Sequence, residues 1–391
     1  MLVKAKSDGL KKGQAGHVDG QTWGQTDHGD SLFSILDERG NVRPGSHPPV
    51  LTDEECLILY RGMLQVRLVD ERFIKLQRQG RLGFYMTSTG EEATHFAVHA
   101  LRSTDWVFPS YREPGAFFHR GYTLEAFANQ LFGNANDPVK GRQMPVHHSF
   151  KKGNVVSISS PVGTQIPQAA GCAWAAKLSK KDDVAVAYFG EGTASTGDFH
   201  VGLNFAGAFK APCIFICRNN GWAISTAASK QTAAHTIAQK AVAYGFPGVR
   251  VDGNDLLAIL AVMEDAVARG RAGEGPTLIE CVTYRRGAHS SSDDPSVYRD
   301  PEEPKKWDAL DPIARWQRYL ETRGIWNEAQ AEKWRQEIGD ECNRVIAEAE
   351  KMGPPPVESI FEDVLAEVPP HLVEQRAELM ALPRATSPHG H

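Results

Sequence analysis

Two oxygen-bearing side chains, one acid and one amide, stand where this chain could do chemistry. Glu191 lies between two glycines, in Gly190-Glu-Gly192, directly after the apolar run Val184-Ala-Val-Ala-Tyr-Phe189. Asn220 closes Arg218-Asn-Asn220, directly after a second apolar run, Cys213-Ile-Phe-Ile-Cys217. Such short runs are the pattern of strands buried on both faces. Between them Phe199, Leu203, Phe205, Ala206 and Phe209 recur at helical spacing, and Pro212 ends the segment. A strand, a crossover helix and a parallel strand bring both strand C-termini to one sheet edge. A carboxylate and an amide oxygen meeting there are hard ligands. They suit Mg²⁺ or Mn²⁺, which take few protein ligands and complete the shell with phosphate oxygens and water.

The elements that must position this pair follow from the rest of the pattern. Thr52-Asp-Glu-Glu55 is a capping box that opens a helix to about Gln79, with Gly80 ending it. A second helix begins at Gly90-Glu-Glu92, where the two acids complement the helix dipole. Residues 105–115 read as a Pro/Gly-rich loop, and an Ala-rich helix spans about Pro167 to Ser179. Val249-Arg-Val251 and residues 277–283 are further strands, the latter leading into Tyr284-Arg-Arg-Gly-Ala-His289. Residues 307–350 are helical and charged, anchored by Trp307, Trp316, Tyr319 and Leu320. Gly353-Pro-Pro-Pro356 breaks them from a last amphipathic segment, 359–381. The pattern predicts a doubly wound, mostly parallel α/β domain over 51–305. A polar arm (1–50) precedes it, flexible or bound to a partner, and a helical extension with a polar tail (306–391) follows.

A length of 391 residues with 41% hydrophobic content supports a sizeable core. A net charge of −5 proposes neither nucleic acid nor an anionic membrane as partner. No apolar run reaches the ~18 residues of a membrane span. The N-terminus carries no signal-peptide hydrophobic region, and its Asp residues and few Arg argue against a transit peptide. Six cysteines without a Cys-x-x-Cys read as reduced core thiols, hence a cytoplasmic protein. His17 and His28, scattered in a polar stretch, carry no metal-site signal. His147 and His148 could be catalytic, but the pattern fits at least as well one histidine packed in its loop and one exposed.

Gly190-Glu-Gly192 followed by Asn219-Asn220 resembles the thiamine-diphosphate motif, usually Gly-Asp-Gly followed by Asn-Asn. Over about residues 55–365 the chain is similar to the alpha subunits of the 2-oxo acid dehydrogenases, most of all the branched-chain type. Glu191-for-Asp and the runs Arg218–Ser225 and His289–Asp294 favour that type over the pyruvate or acetoin one. The resemblance implies a divalent metal held by Glu191, Asn220 and the carbonyl of Trp222. It places Tyr111, Arg112 and Arg218 on the diphosphate, and Ser160 and Val162 beside the cofactor rings. It implies a monovalent-cation (K⁺) site at Ser159, Pro161, Thr164 and Gln165, and proton handling at His289, whose imidazole ordinarily titrates near neutrality. Relatives often carry leucine at position 162 and His-His where this chain has Ala288-His289. Ser290 matches a position phosphorylated in animal relatives; alone it reads as a turn serine.

In that family a thiazolium carbanion attacks the 2-oxo carbonyl, CO₂ leaves, and the acyl unit passes to a lipoyl group on an acyltransferase. The pyrimidine end of the cofactor comes from a beta chain, so an α₂β₂ heterotetramer is implied and this chain should be inactive alone. Two other classes remain open on the residues. A nicotinamide oxidoreductase would need a full Gly-x-Gly-x-x-Gly and an acid at the end of the second strand, and the chain has neither. A non-catalytic structural subunit would not need Glu191, Asn220 and His289 intact.

Overall fold

Thr52 Oγ1 accepts the Glu55 N–H at 3.2 Å while the Glu55 carboxylate accepts the Thr52 N–H at 2.9 Å, so the capping box opens α1 (Asp53–Arg78). In this computed structural model residues 31–383 are described, preceded by a backbone ladder of 17–18 with 21–22. The side chains of His17 and His28, and the tail from residue 384, lie outside the described residues. After α1 come the short α2 (Glu92–His95) and strand β1 (Trp106–Phe108), then α3 (Pro114–His119), α4 (Leu124–Phe132) and α5 (Gln165–Leu178). Strand β2 (Ala185–Gly190), α6 (Gly197–Phe209) and β3 (Cys213–Asn219) form the central crossover. Strand β4 (Gly248–Asp252), α7 (Leu256–Arg271) and β5 (Thr277–Val282) follow, then α8 (Pro312–Thr322), α9 (Glu328–Lys351) and α10 (Pro370–Ala381). Residues 106–108, expected within a loop, form an edge strand because Trp106–Phe108 pair with Ala185–Ala187.

The five strands run parallel in the order β1-β2-β3-β5-β4. Register aligns Gly190 with Arg218 and Asn219 with Val282, so three strand ends finish at one edge. Alternate strand residues enter different cores. Val186, Tyr188, Ile214 and Ile216 pack with α1, α7, α8 and α9, while Ala187, Phe189, Phe215 and Cys217 pack with α5 and α6. Both faces are covered, which is why the strands read as unbroken apolar runs.

Part of the expected 1–50 arm docks on its own chain. Phe33 exchanges backbone hydrogen bonds with Arg250 and Asp252 at 2.8 and 2.9 Å, and Ile35 and Leu36 are buried. The C-terminal region joins the same core as α1 through Trp316, Leu320, Ile338 and Val345, while α10 buries nothing. All six cysteines are unpaired and five are buried, Cys213 and Cys217 among them. Among the described residues no helix is long and apolar enough to cross a membrane.

Candidate active site

The register that ends β2 and β3 together places Glu191 and Asn220, one residue further on, at the same wall. Asn220 N–H approaches Glu191 Oε2 at 3.4 Å. Glu191 is 2% exposed and makes no ion pair among the described residues; its nearest side-chain donor is Gln231 Nε2 at 3.5 Å. Burial, with the charge of Glu91 added, pushes its carboxyl above the usual range against the backbone N–H groups that lower it. A buried carboxylate without a counter-charge, beside other oxygens, fits a cation. Asn220 Oδ1 accepts the Trp222 N–H at 3.1 Å across Gly221, whose φ of 86° the turn requires. The Trp222 carbonyl, the third expected metal oxygen, already accepts Arg285 Nη1 at 3.0 Å.

These groups line one cavity of ≈ 260 Å³. Tyr111, Arg112, Ser159, Pro161, Val162, Gln165, Gly190, Gly192, Arg218 and His289 line it too. Two expected residues do not. The Ser160 hydroxyl is 2.7 Å from His147 Nε2, and Thr164 sits at the start of α5 donating to the Pro161 carbonyl at 3.3 Å. Gln165, from the same cation set, donates to the Tyr188 carbonyl at 2.8 Å.

The arginines are more committed than the sequence suggests. Arg218 donates through Nη1 to Glu91 at 2.6 Å and through Nη2 to Glu113 at 2.6 Å and Ser110 Oγ at 2.9 Å. Burial opposes its charge, but Glu113 and Glu91 together hold it above its ordinary value. Arg112 donates to the carbonyls of Thr87 and, at 2.9 Å, His289. Arg218 Nε and Arg285 Nε are buried donors without a hydrogen-bond partner, and both residues line the cavity. The Nε of Arg102, Arg250 and Arg269, away from the cavity, is unmatched in the same way, so the ligand argument rests on the buried acid and amide oxygens rather than on these donors.

His289 differs from the neutral-pH titrating group expected. Burial first, then the charges of Arg112 and Arg285, push its imidazole down to about 3. Arg112 Nη2 lies 3.2 Å from Nδ1, and arginine only donates, so the neutral ring carries its proton on Nε2. His147 and His148 are both buried, so neither is the exposed residue expected; His148 stacks on Phe127 at 4.4 Å.

Sequence reasoning missed Glu91, Glu113 and Arg285. Glu91 reads as a dipole-complementing acid, yet it is fully buried beneath Arg218 and Asn220. Arg285 had a signal, since it follows β5 at the shared edge. It also holds the carbonyl of Ile224 at 2.7 Å, where a β-branched residue adopts φ 53° at the cavity wall. Strain of this kind concentrates at functional sites.

A buried acid and an amide at a polar cavity beyond the strand C-termini put the site where α/β sheets of this kind bind their ligands. The family model described as dehydrogenase E1 component matches residues 60–358. The chain belongs to that family, and thus to the 2-oxo acid dehydrogenases. It is 44% identical over 353 residues to "2-oxoisovalerate dehydrogenase subunit alpha, mitochondrial" of Mus musculus, covering 90% of this chain and 80% of that protein. The Homo sapiens protein of that name is 44% identical over 353 residues (90% and 79%). Alpha subunit 1 of Arabidopsis thaliana is 43% identical over 352 residues (90% and 75%).

Proposed function

We propose that the chain is the alpha subunit of a branched-chain 2-oxo acid dehydrogenase. It decarboxylates 2-oxo acids such as 2-oxoisovalerate and passes the acyl group to the lipoyl group of a separate acyltransferase. The observation that carries this reading is Glu191, buried without an ion pair among the described residues beside Asn220. Thiamine diphosphate, when bound, supplies the nucleophilic carbon and the electron sink.

This chain's residues do the rest. Glu191, Asn220 Oδ1 and the Trp222 carbonyl would hold Mg²⁺ or Mn²⁺, the last sharing its oxygen with Arg285. Arg218 and Arg285, which line the cavity, would set positive charge beside the diphosphate. Neutral His289 presents Nε2–H as a hydrogen-bond donor that orients a carbonyl or carboxylate rather than exchanging a proton near neutrality. Tyr111, 6.0 Å from His289 edge-on, and Val162 supply apolar wall. A K⁺ at Ser159, Pro161, Thr164 and Gln165 belongs to the proposal as well. Val162 is 47% exposed at the cavity wall, and a beta subunit would cover it in an α₂β₂ assembly. A cytoplasmic location is proposed on the unpaired cysteines, although the relatives named above are mitochondrial.

The test is oxidative decarboxylation of a panel of 2-oxo acids, with lipoyl domain as acceptor, by this chain alone and co-expressed with its beta partner. Activity is expected only in the assembly and fastest with branched-chain acids. Turnover by the chain alone, or preference for pyruvate, would contradict the reading.

A further inference from the structure

Glu91 does not line the cavity, yet it touches two residues that do. It precedes α2, and its carbonyl accepts the Thr94 N–H at 3.1 Å and the Thr94 hydroxyl at 2.7 Å, so its backbone is pinned. Its side chain is 0% exposed. Oε1 accepts Asn220 Nδ2 at 3.0 Å and Oε2 accepts Arg218 Nη1 at 2.6 Å.

An ionised carboxylate only accepts, so the end of the Asn220 amide facing Glu91 must be its NH₂ group. The Trp222 N–H only donates, so the end 3.1 Å from it must be the oxygen. A flipped amide would set oxygen against carboxylate and N–H against N–H, losing both bonds. Glu91 and the Trp222 amide thus leave Asn220 one orientation, and Glu91 supplies the side-chain half of that constraint. The same carboxylate, with Glu113 opposite, holds both Nη groups of Arg218 and leaves Nε–H unmatched.

We propose that Glu91 is a positioning residue of the metal-diphosphate site: it fixes which end of the Asn220 amide is offered to the metal and holds Arg218 in its place. This rests on the reading of Glu191 and Asn220 as metal ligands. Outer groups that orient a ligand typically change metal affinity by about 10- to 100-fold when replaced. Glutamine at position 91 keeps the shape but offers both a donor and an acceptor, so it removes the side-chain half of the constraint on Asn220 and the charge that faces Arg218.

The experiment is Mn²⁺ binding, followed by electron paramagnetic resonance with thiamine diphosphate present, on the chain assembled with its beta partner. Glu91→Gln is compared with Asp255→Asn, which also removes a buried carboxylate. Asp255 accepts the Ile35 and Leu36 N–H groups at 2.7 and 2.6 Å, and none of its partners lines the cavity. Glu91→Gln is expected to weaken Mn²⁺ binding about 10- to 100-fold, and Asp255→Asn to lower the melting temperature without weakening it. Should Glu91→Gln fail to assemble, Glu91→Asp, which keeps the charge but withdraws it by one methylene, is expected to give a smaller loss. Unchanged affinity in the assembled Glu91 variant overturns the proposal, as does an equal loss in Asp255→Asn. Failure of the unsubstituted assembly to bind Mn²⁺ overturns the metal-site reading itself.

Discussion

At the residue scale the site is an arrangement of charges that nearly satisfy one another. Glu91 and Glu113 face Arg218, and Arg112 approaches Glu91 at 3.9 Å, whereas no cation faces Glu191, the acid at the cavity wall. Buried pairs of this kind are costly to break, because the partner left behind is an uncompensated charge. His289 shows how far such surroundings move a side chain from its free behaviour. With its imidazole depressed to about 3, the unfolded chain binds a proton that the folded chain does not, from pH ~6.5 down to that value. Its contribution to stability is thus lost as pH falls through that window. Above it His289 stays neutral, so the pH profile of kcat/KM between 6 and 8 should contain no step from this ring. His289→Gln should keep the profile's shape while lowering kcat, and less than His289→Ala does, since an amide N–H replaces Nε2–H in part. A step near pH 6.5 that vanishes in His289→Gln would show that the ring titrates after all.

At the element scale, what was legible in the sequence is what local pattern encodes. The strands around Val186 and Ile214, the capping box at Thr52 and the crossover helix all follow from periodicity and turn chemistry, and they place Glu191 and Asn220 together. What was not legible depends on pairing over long separations. β5 inserts between β3 and β4, and that order brings Arg285 to the Trp222 carbonyl. Glu91 reaches Asn220 from 129 residues away in the chain, so no spacing rule reveals it. Trp106–Phe108 is too short for alternation to distinguish strand from loop.

Gly192 gains its physical meaning only in the fold. A Cβ there would lie 2.6 Å from the Ala223 Cβ, in the two-residue ribbon that carries Trp222, whereas one at Gly190 meets nothing nearer than 4.0 Å. Gly192→Ala should therefore push the ribbon outward, cost about 1–3 kcal/mol of stability and weaken metal-dependent cofactor binding. Gly190→Ala should cost much less stability. Calorimetric unfolding and binding on both variants check this, and equal effects would contradict the packing account.

At the scale of the whole molecule, one continuous core joins the N-terminal bridge at Phe33, the sheet, α1 and the C-terminal helices α8 and α9. The site sits beyond the strand C-termini with solvent-exposed Val162 at its wall. The central claim is that Glu191 and Asn220 hold a divalent metal that in turn holds thiamine diphosphate. The most direct measurement is calorimetric titration of thiamine diphosphate into the chain assembled with its beta partner, with and without Mg²⁺, beside Glu191→Ala and Asn220→Ala. The account predicts saturable binding that requires Mg²⁺ and is abolished in both variants. Binding that ignores the metal, survives either substitution, or is absent from a well-folded assembly would contradict it.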